Sequence, residues 1–263
     1  MFCKTSHINR FLRGIAFKVF NKIENNLNTN FEQNGEKVFL NNLFHYLSSK
    51  QNKKVVFDVG ANIGEYAHLI EKKSLEFNIE IEVHLFEPTQ KCFSILNQKF
   101  NNKNFILNNF GVSNKSTVTK IFYDKEGSGL ASLYQRNLES YHVELNQSEE
   151  IQLKRLDEYI KEKSVNHIDF IKIDIEGHEL NAFEGMGEYL NSDFIDFIQF
   201  EYGGANLDSH TSLMDIYKVL NERGFKIAKI MPKGLEIREY KPYMDNFQYS
   251  NYVAISKNIV GKL

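Results

Sequence analysis

The chain contains no tryptophan, and only three prolines and two cysteines in 263 residues. The cysteines, Cys3 and Cys92, form no C-x-x-C pair, which excludes a disulfide framework or structural zinc site and suits a reducing cytoplasm. No apolar run reaches the roughly 18 residues of a membrane span. Lys/Arg-rich runs are missing and the net charge is −2, so no nucleic-acid partner is expected. Rings are plentiful instead. With 22 Phe and 13 Tyr, the chain can fill a large core and still line a pocket. Length and composition suit one α/β domain with an appended segment.

That segment comes first. Phe11, Ile15, Val19 and Ile23 recur every four residues, with Arg10, Arg13, Lys18 and Lys22 mostly elsewhere, predicting an amphipathic helix. Arg13 and Lys18 interrupt any secretory apolar region, and no small-residue cleavage site follows. A basic amphipathic helix can lie on an anionic membrane. The expectation here is packing on its own domain or on a sister subunit, the latter giving a homo-oligomer, and no membrane partner. A second helix is expected over Val38–Leu47. Residues 1–50 thus read as a helical segment and 51–263 as the main domain.

From residue 54, apolar runs alternate with helical periods. Strands are expected at Val55–Phe57, Val83–Phe86, Phe105–Leu107, Ile168–Ile173 and Phe194–Phe200. Helices are expected at Ala67–Phe77, Lys91–Phe100, Leu180–Leu190 and Leu213–Arg223. Such alternation predicts a parallel sheet covered on both faces. Phe225–Ile230 and Leu235–Tyr240 read as a hairpin about Pro232-Lys233-Gly234, and Tyr252–Ser256 as a final strand in antiparallel pairing. Thr117–Tyr123 and Ile151–Arg155 read as short strands of an insertion.

The first strand ends in Phe57-Asp58-Val59-Gly60-Ala61-Asn62-Ile63-Gly64. Ligands of open α/β sheets bind outside the carboxyl ends of strands, and glycine there lets a ligand approach the backbone. The glycines follow G-x-x-x-G, not the G-x-G-x-x-G of dinucleotide sites, and Asp58 stands just before them. A carboxylate there attracts a ligand carrying an ammonium group. S-adenosylmethionine is such a ligand. The next strand ends in Phe86-Glu87-Pro88, 29 residues after Asp58, a separation that fits a strand–helix–strand unit. Glu87 at that tip can accept hydrogen bonds from ribose hydroxyls. Thr89 is expected to cap the following helix.

Ile171-Lys172-Ile173-Asp174-Ile175-Glu176-Gly177-His178-Glu179 puts isoleucines on one face of a strand and Lys172, Asp174 and Glu176 on the other. Interior parallel strands are nearly continuous apolar runs, so these charges mark an ion network or an active site. The next strand ends in Glu201 and two glycines. Neighbouring strands would bring Asp174 and Glu201 together, where with His178 they could hold a divalent cation or share a proton.

Taken together, these segments resemble the FkbM-type family of S-adenosylmethionine-dependent methyltransferases. Leu156-Asp157-Glu158-Tyr159, Glu201 and Asn251-Tyr252-Val253-Ala254 add to the likeness, which runs from about Val55 to Ser256. The resemblance implies a class I, Rossmann-like sheet of seven mostly parallel strands, the last antiparallel. It implies O-methylation of a hydroxyl on a sugar, sugar nucleotide, saccharide or natural-product intermediate. On this reading Asp58, Gly60, Ala61, Asn62 and Gly64 hold the methionine part, with Asp174 nearby, and Glu87 holds the ribose. Gly111 and Ser113 fall near the adenine. The catalytic set is His178, Asp174, Glu201 and Lys172. His178 or a carboxylate would be general base, with the choice leaning to His178; alternatively Mg²⁺ or Mn²⁺ on Asp174 and Glu201 would acidify the hydroxyl. Lys172 is the expected ionic partner of these acids. Two rivals are a non-catalytic S-adenosylmethionine-binding module and, less well matched to the glycine spacing, an NAD-dependent oxidoreductase.

Overall fold

The computed structural model describes residues 6–50 and 52–262. Helices α1 (His7–Ile23) and α2 (Glu36–Ser48) precede β1 (Lys54–Val59), α3 (Glu65–Glu76), β2 (Ile81–Phe86), α4 (Gln90–Lys99) and β3 (Phe105–Asn108). Next come β4 (Gly111–Val112), β5 (Thr117–Tyr123), β6 (Gln147–Lys154), α5 (Leu156–Lys163), β7 (Ile168–Ile173), α6 (Glu179–Gly185) and β8 (Ile195–Tyr202). The chain continues through α7 (Gly204–Asp208), α8 (Leu213–Glu222), β9 (Phe225–Met231), β10 (Gly234–Ile237) and β11 (Ser250–Ser256).

The main sheet has the order β10-β9-β11-β8-β7-β1-β2-β3. Strands β3, β2, β1, β7 and β8 are parallel neighbours, and β11 runs antiparallel to both β8 and β9. This is the mostly parallel, mixed α/β sheet expected from the sequence, with one correction. It has eight strands, not seven, because the arm after Gly234 pairs with β9 over four residues and satisfies that edge. The arm stops at Ile237, short of Tyr240.

Alternation across the strands separates two cores. Phe57, Val59, Ile171 and Ile173 face α5, α6 and α8, whereas Val56, Val83, Leu85 and Phe170 face α2, α3 and α4. Helix α2 is therefore part of the same core as the sheet, through Phe39, Leu40, Leu43, Phe44 and Leu47. A second, three-stranded sheet, β4-β6-β5, stands beside the main one. Its β6 begins at Gln147, four residues before the expected Ile151, because polar Gln147–Glu150 pair with β5 without entering a core. Helix α6 is shorter than expected and gives way to a 3₁₀ turn at Gly187–Tyr189.

Helix α1 departs from expectation. Phe20 meets the Tyr243 ring, but the apolar stripe does not pack on the domain: Ile8, Phe11, Leu12, Ile15, Val19 and Ile23 are all exposed. Among the described residues no helix is long and apolar enough to cross a membrane. Cys92 is a buried free thiol; Cys3 lies outside the described residues.

Candidate active site

Three strand tips converge. After β1 the chain turns through Gly60 and Asn62, both in the left-handed region (φ 85° and 47°). Gly60 has no room for a side chain, since a Cβ would lie 2.0 Å from the backbone oxygen of Asp174 at the end of β7. The tips of β1 and β7 touch there, and the Asp174 N–H donates to the Val59 carbonyl at 3.0 Å.

Glu87, at the tip of β2, is buried and organises the first loop. Its Oε2 accepts from the Asn62 N–H at 2.9 Å, and its Oε1 accepts from the Thr89 N–H at 2.8 Å and hydroxyl at 2.6 Å. Thr89 is thus the N-cap of α4 by position, but its hydroxyl turns to Glu87 and makes no cap bond. Burial pushes the Glu87 carboxyl up, against these donors.

The tips of β7 and β8 carry the acids. Ile173 pairs with Phe200, and one residue further on Asp174 stands beside Glu201. Oxygens of Asp174, Glu176 and Glu201 all lie within 4.8 Å of one another. Lys172 Nζ donates to Asp174 Oδ2 at 2.9 Å and sits 5.0 Å from the centre of the Tyr66 ring. Burial alone would lower its pKa, but the charges of Asp174 and Asp58 overcome this and keep the ammonium charged. Burial and mutual repulsion raise Glu176 and Glu201 above the carboxylate range. Behind Glu176 (φ 51°), Gly177 (φ 96°) makes the turn, and a Cβ on it would lie 2.5 Å from the Ala205 carbonyl. Glu179 tucks under this turn, accepting from the N–H groups of Ile175 and Gly177, and burial raises its carboxyl to about 7.

Between the tips lies a cleft of about 650 Å³, open to solvent. Gly60, Asn62 and Glu87 line one end; Asp174, Glu176 and His178 line the other. Gly111, Ile121, Ile151 and Leu153 form an apolar wall from the second sheet.

With this geometry in place, comparison with known proteins is direct. A family model described as the methyltransferase FkbM domain matches residues 58–227. The chain belongs to that family. Among solved structures, methyltransferase FkbM from Methylobacillus flagellatus KT is 16% identical, with a TM-score of 0.47, covering 84% of this chain and 50% of that one. A SAM-dependent methyltransferase from Agrobacterium tumefaciens is 7% identical, with a TM-score of 0.45 and coverage of 85% and 62%. A TehB-like SAM-dependent methyltransferase from Corynebacterium glutamicum is 10% identical, with a TM-score of 0.41 and coverage of 95% and 96%. This FkbM-domain chain spans half the length of the first of these. Curated proteins give no match.

The expected site residues of the FkbM domain fall into two groups. Gly60, Asn62, Glu87, Gly111, Asp174 and His178 line the cleft, and Glu201 and Lys172 adjoin Asp174. Asp58, Ala61, Gly64 and Ser113 do not line it. Ala61 is buried and its N–H donates to the Phe86 carbonyl. Gly64 lies against the Phe100 ring, where a Cβ would be 2.3 Å from Phe100 Cε2. Ser113 is buried with its hydroxyl 2.9 Å from His178 Nε2. Asp58 is fully buried beneath the loop, with no hydrogen-bond partner for either carboxylate oxygen; burial raises it to about 6, although Lys172 opposes the shift.

Sequence reasoning missed the segment between β5 and β6. Ser128 accepts from Asn62 Nδ2 at 3.2 Å, and Ser132 donates to the Glu176 carbonyl at 2.8 Å. The Tyr134 hydroxyl lies 2.8 Å from His178 Nδ1, and Arg136 pairs with Glu176 and Asp208. Both nitrogens of His178 are thereby engaged by hydroxyls, and burial lowers its pKa to about 4, with Lys115 adding to the effect.

Proposed function

We propose that the chain is an S-adenosylmethionine-dependent O-methyltransferase acting on a hydroxyl of a saccharide or similar polyol. The observation that carries this reading is one cleft lined by a buried, donor-held carboxylate, Glu87, and by Asp174 and Glu176, which crowd with the adjoining Glu201. The catalytic unit is residues 51–263 together with α2, whose Glu36 accepts from Gln199 on β8.

The residues present suit the cofactor. Asp58 is an orphaned buried carboxylate behind a loop whose glycine leaves no room for Cβ, which fits an adjacent ammonium. Glu87 retains lone pairs for ribose hydroxyls, and the wall beyond Gly111 suits a purine. S-adenosylmethionine supplies, when bound, a methyl group on a sulfonium, which is a strong donor without further activation. The protein's task is then to align an oxygen and to take its proton.

For the proton we propose the cluster of Asp174, Glu176 and Glu201 rather than His178. The imidazole is already held between two hydroxyls and is a weak base. The crowded carboxyls share protons, and whichever member is ionised is a stronger base than a free carboxylate because burial and its neighbours disfavour its charge. Ser113, His178 and Tyr134 then hold the turn that presents Glu176. Mg²⁺ or Mn²⁺ on Asp174 and Glu201 fits less well, because Lys172 and Arg136 already supply cations to the cluster. The same negative lining disfavours acceptors that carry phosphate beside the reacting hydroxyl, and so ranks neutral saccharides above sugar nucleotides.

The test is transfer of labelled methyl from S-adenosylmethionine to a panel of neutral saccharides, amino sugars and sugar nucleotides, with and without chelator. Transfer to a neutral saccharide that survives chelation supports the reading. Loss of turnover on chelation, restored by Mg²⁺, would replace the base with a metal. Cofactor binding without transfer to any hydroxyl would favour a non-catalytic module, and preference for NAD would remove the assignment.

A further inference from the structure

Helix α1 exposes an apolar face that its own domain leaves uncovered. Ile8, Phe11 and Ile23 are 70%, 68% and 66% exposed, and Leu12, Ile15 and Val19 between them are exposed as well. At 3.6 residues per turn these six fall on one side, and Asn21, the one buried residue described in α1, falls on the opposite side. Residues 7–19 are exposed on every side of the helix, so the stripe is left uncovered. Lys18 borders it beside Phe11 and Lys22 lies within it, Arg10 and Arg13 fall on the opposite face, and no acid occurs before Glu24.

The root of the helix is fixed. Glu24 pairs with Arg238 and Lys229, and Asn25 Nδ2 donates to the carbonyls of Asn34 and Ile230. The Leu27 N–H donates to the Tyr249 carbonyl, and Ser250 then pairs with Tyr202 at the carboxyl end of β8, the end that bears Glu201. Such a helix is held at an angle set by the domain.

We propose that α1 lies in the surface of an anionic lipid bilayer, apolar stripe down and its four cations at the headgroups. Charge complementarity selects this occupant. A second copy packed through the stripe would draw Lys18 and Lys22 of both helices to the seam with no acid in either helix to pair them. A bilayer offers acyl chains to the stripe and negative headgroups to the lysines beside it and the arginines of the polar face. At 17 residues with four cations, the helix lies on the membrane and does not cross it.

The test is co-sedimentation of the full chain with vesicles of phosphatidylcholine, alone or with about a third phosphatidylglycerol. The chain should pellet with the anionic vesicles and stay in solution with phosphatidylcholine alone, and high salt should release it. Arg10→Gln combined with Lys18→Gln should weaken binding about 10- to 30-fold. Phe11→Glu combined with Ile15→Glu should abolish it while circular dichroism of the domain is unchanged. Leu75→Glu, which alters an equally exposed side chain on α3, should leave binding as it was. Failure of the parent chain to pellet with anionic vesicles would overturn the proposal. So would a dimer in light scattering that the Phe11/Ile15 double variant dissolves, since that would assign the stripe to a second copy.

Discussion

The two ends of the cleft use the same functional group in opposite ways. At the β2 tip one carboxylate, Glu87, is surrounded by three donors fixed in the backbone and in Thr89. At the β7 and β8 tips three carboxylates crowd within 4.8 Å and two cations are divided among them. Donors hold a charge in place, whereas crowding makes protonation easy. The first arrangement is suited to binding and the second to moving a proton.

Four experiments can break or sharpen that contrast. The largest effect is expected for Glu201→Gln, which removes a proton acceptor without changing shape. Turnover should fall about 10²–10⁴-fold while calorimetric affinity for S-adenosylmethionine is kept. Equal loss of both would make Glu201 a structural acid.

The second concerns His178, the neutral ring among the acids. Its folded pKa of about 4 lies below the ordinary histidine value of 6.5, so it contributes stability that is present above pH 6.5 and lost as pH falls towards 4. The shift corresponds to roughly 3 kcal/mol. Asp58 and Glu179, raised by burial, act in the opposite sense over overlapping ranges. The quantity to measure is therefore the difference in urea stability between the parent and His178→Asn from pH 7 to pH 4. A difference that does not change with pH would mean that the ring is not kept neutral.

At the other end, Glu87→Ala should weaken cofactor binding by about 1.5–3 kcal/mol through lost charge-assisted hydrogen bonds. An unchanged dissociation constant would show that the β2 tip does not bind. The smallest effect is expected for Tyr134→Phe, which removes one hydroxyl from His178 and should cost about 0.5–1.5 kcal/mol of stability in denaturant unfolding. A much larger loss of turnover than of stability would put Tyr134 among the groups that touch the acceptor.

The parts of the cleft that could be read in advance are those formed where an apolar run stops. Gly60, Glu87, Asp174 and Glu201 each end a strand, and strand ends in a parallel sheet gather on one side by topology alone. Ser128, Ser132, Tyr134 and Arg136 carry no such mark. Their segment has no period, and Tyr134 meets His178 from 44 residues away by a path that sequence spacing does not encode. Ser113, expected near the adenine, turns instead to His178, because a position after a strand does not reveal which way the side chain turns. Helices α1 and α2 show a related limit. Both are amphipathic, yet one covers the sheet and the other faces outward, and periodicity reveals that a helix has an apolar face without saying what lies against it.

The segment that sequence could not reveal also ties the parts of the cleft together. Residues 128–136 are bonded at once to Asn62, to Glu176 and to His178, so these contacts form or break together. Lifting the segment to exchange one cleft occupant for another would also withdraw the guanidinium of Arg136 from Glu176 and expose that carboxylate to water. Reseating it would restore both the enclosure and the charge. Displacing the segment would thus alter the enclosure of the cleft and the charge balance of Glu176 in one step.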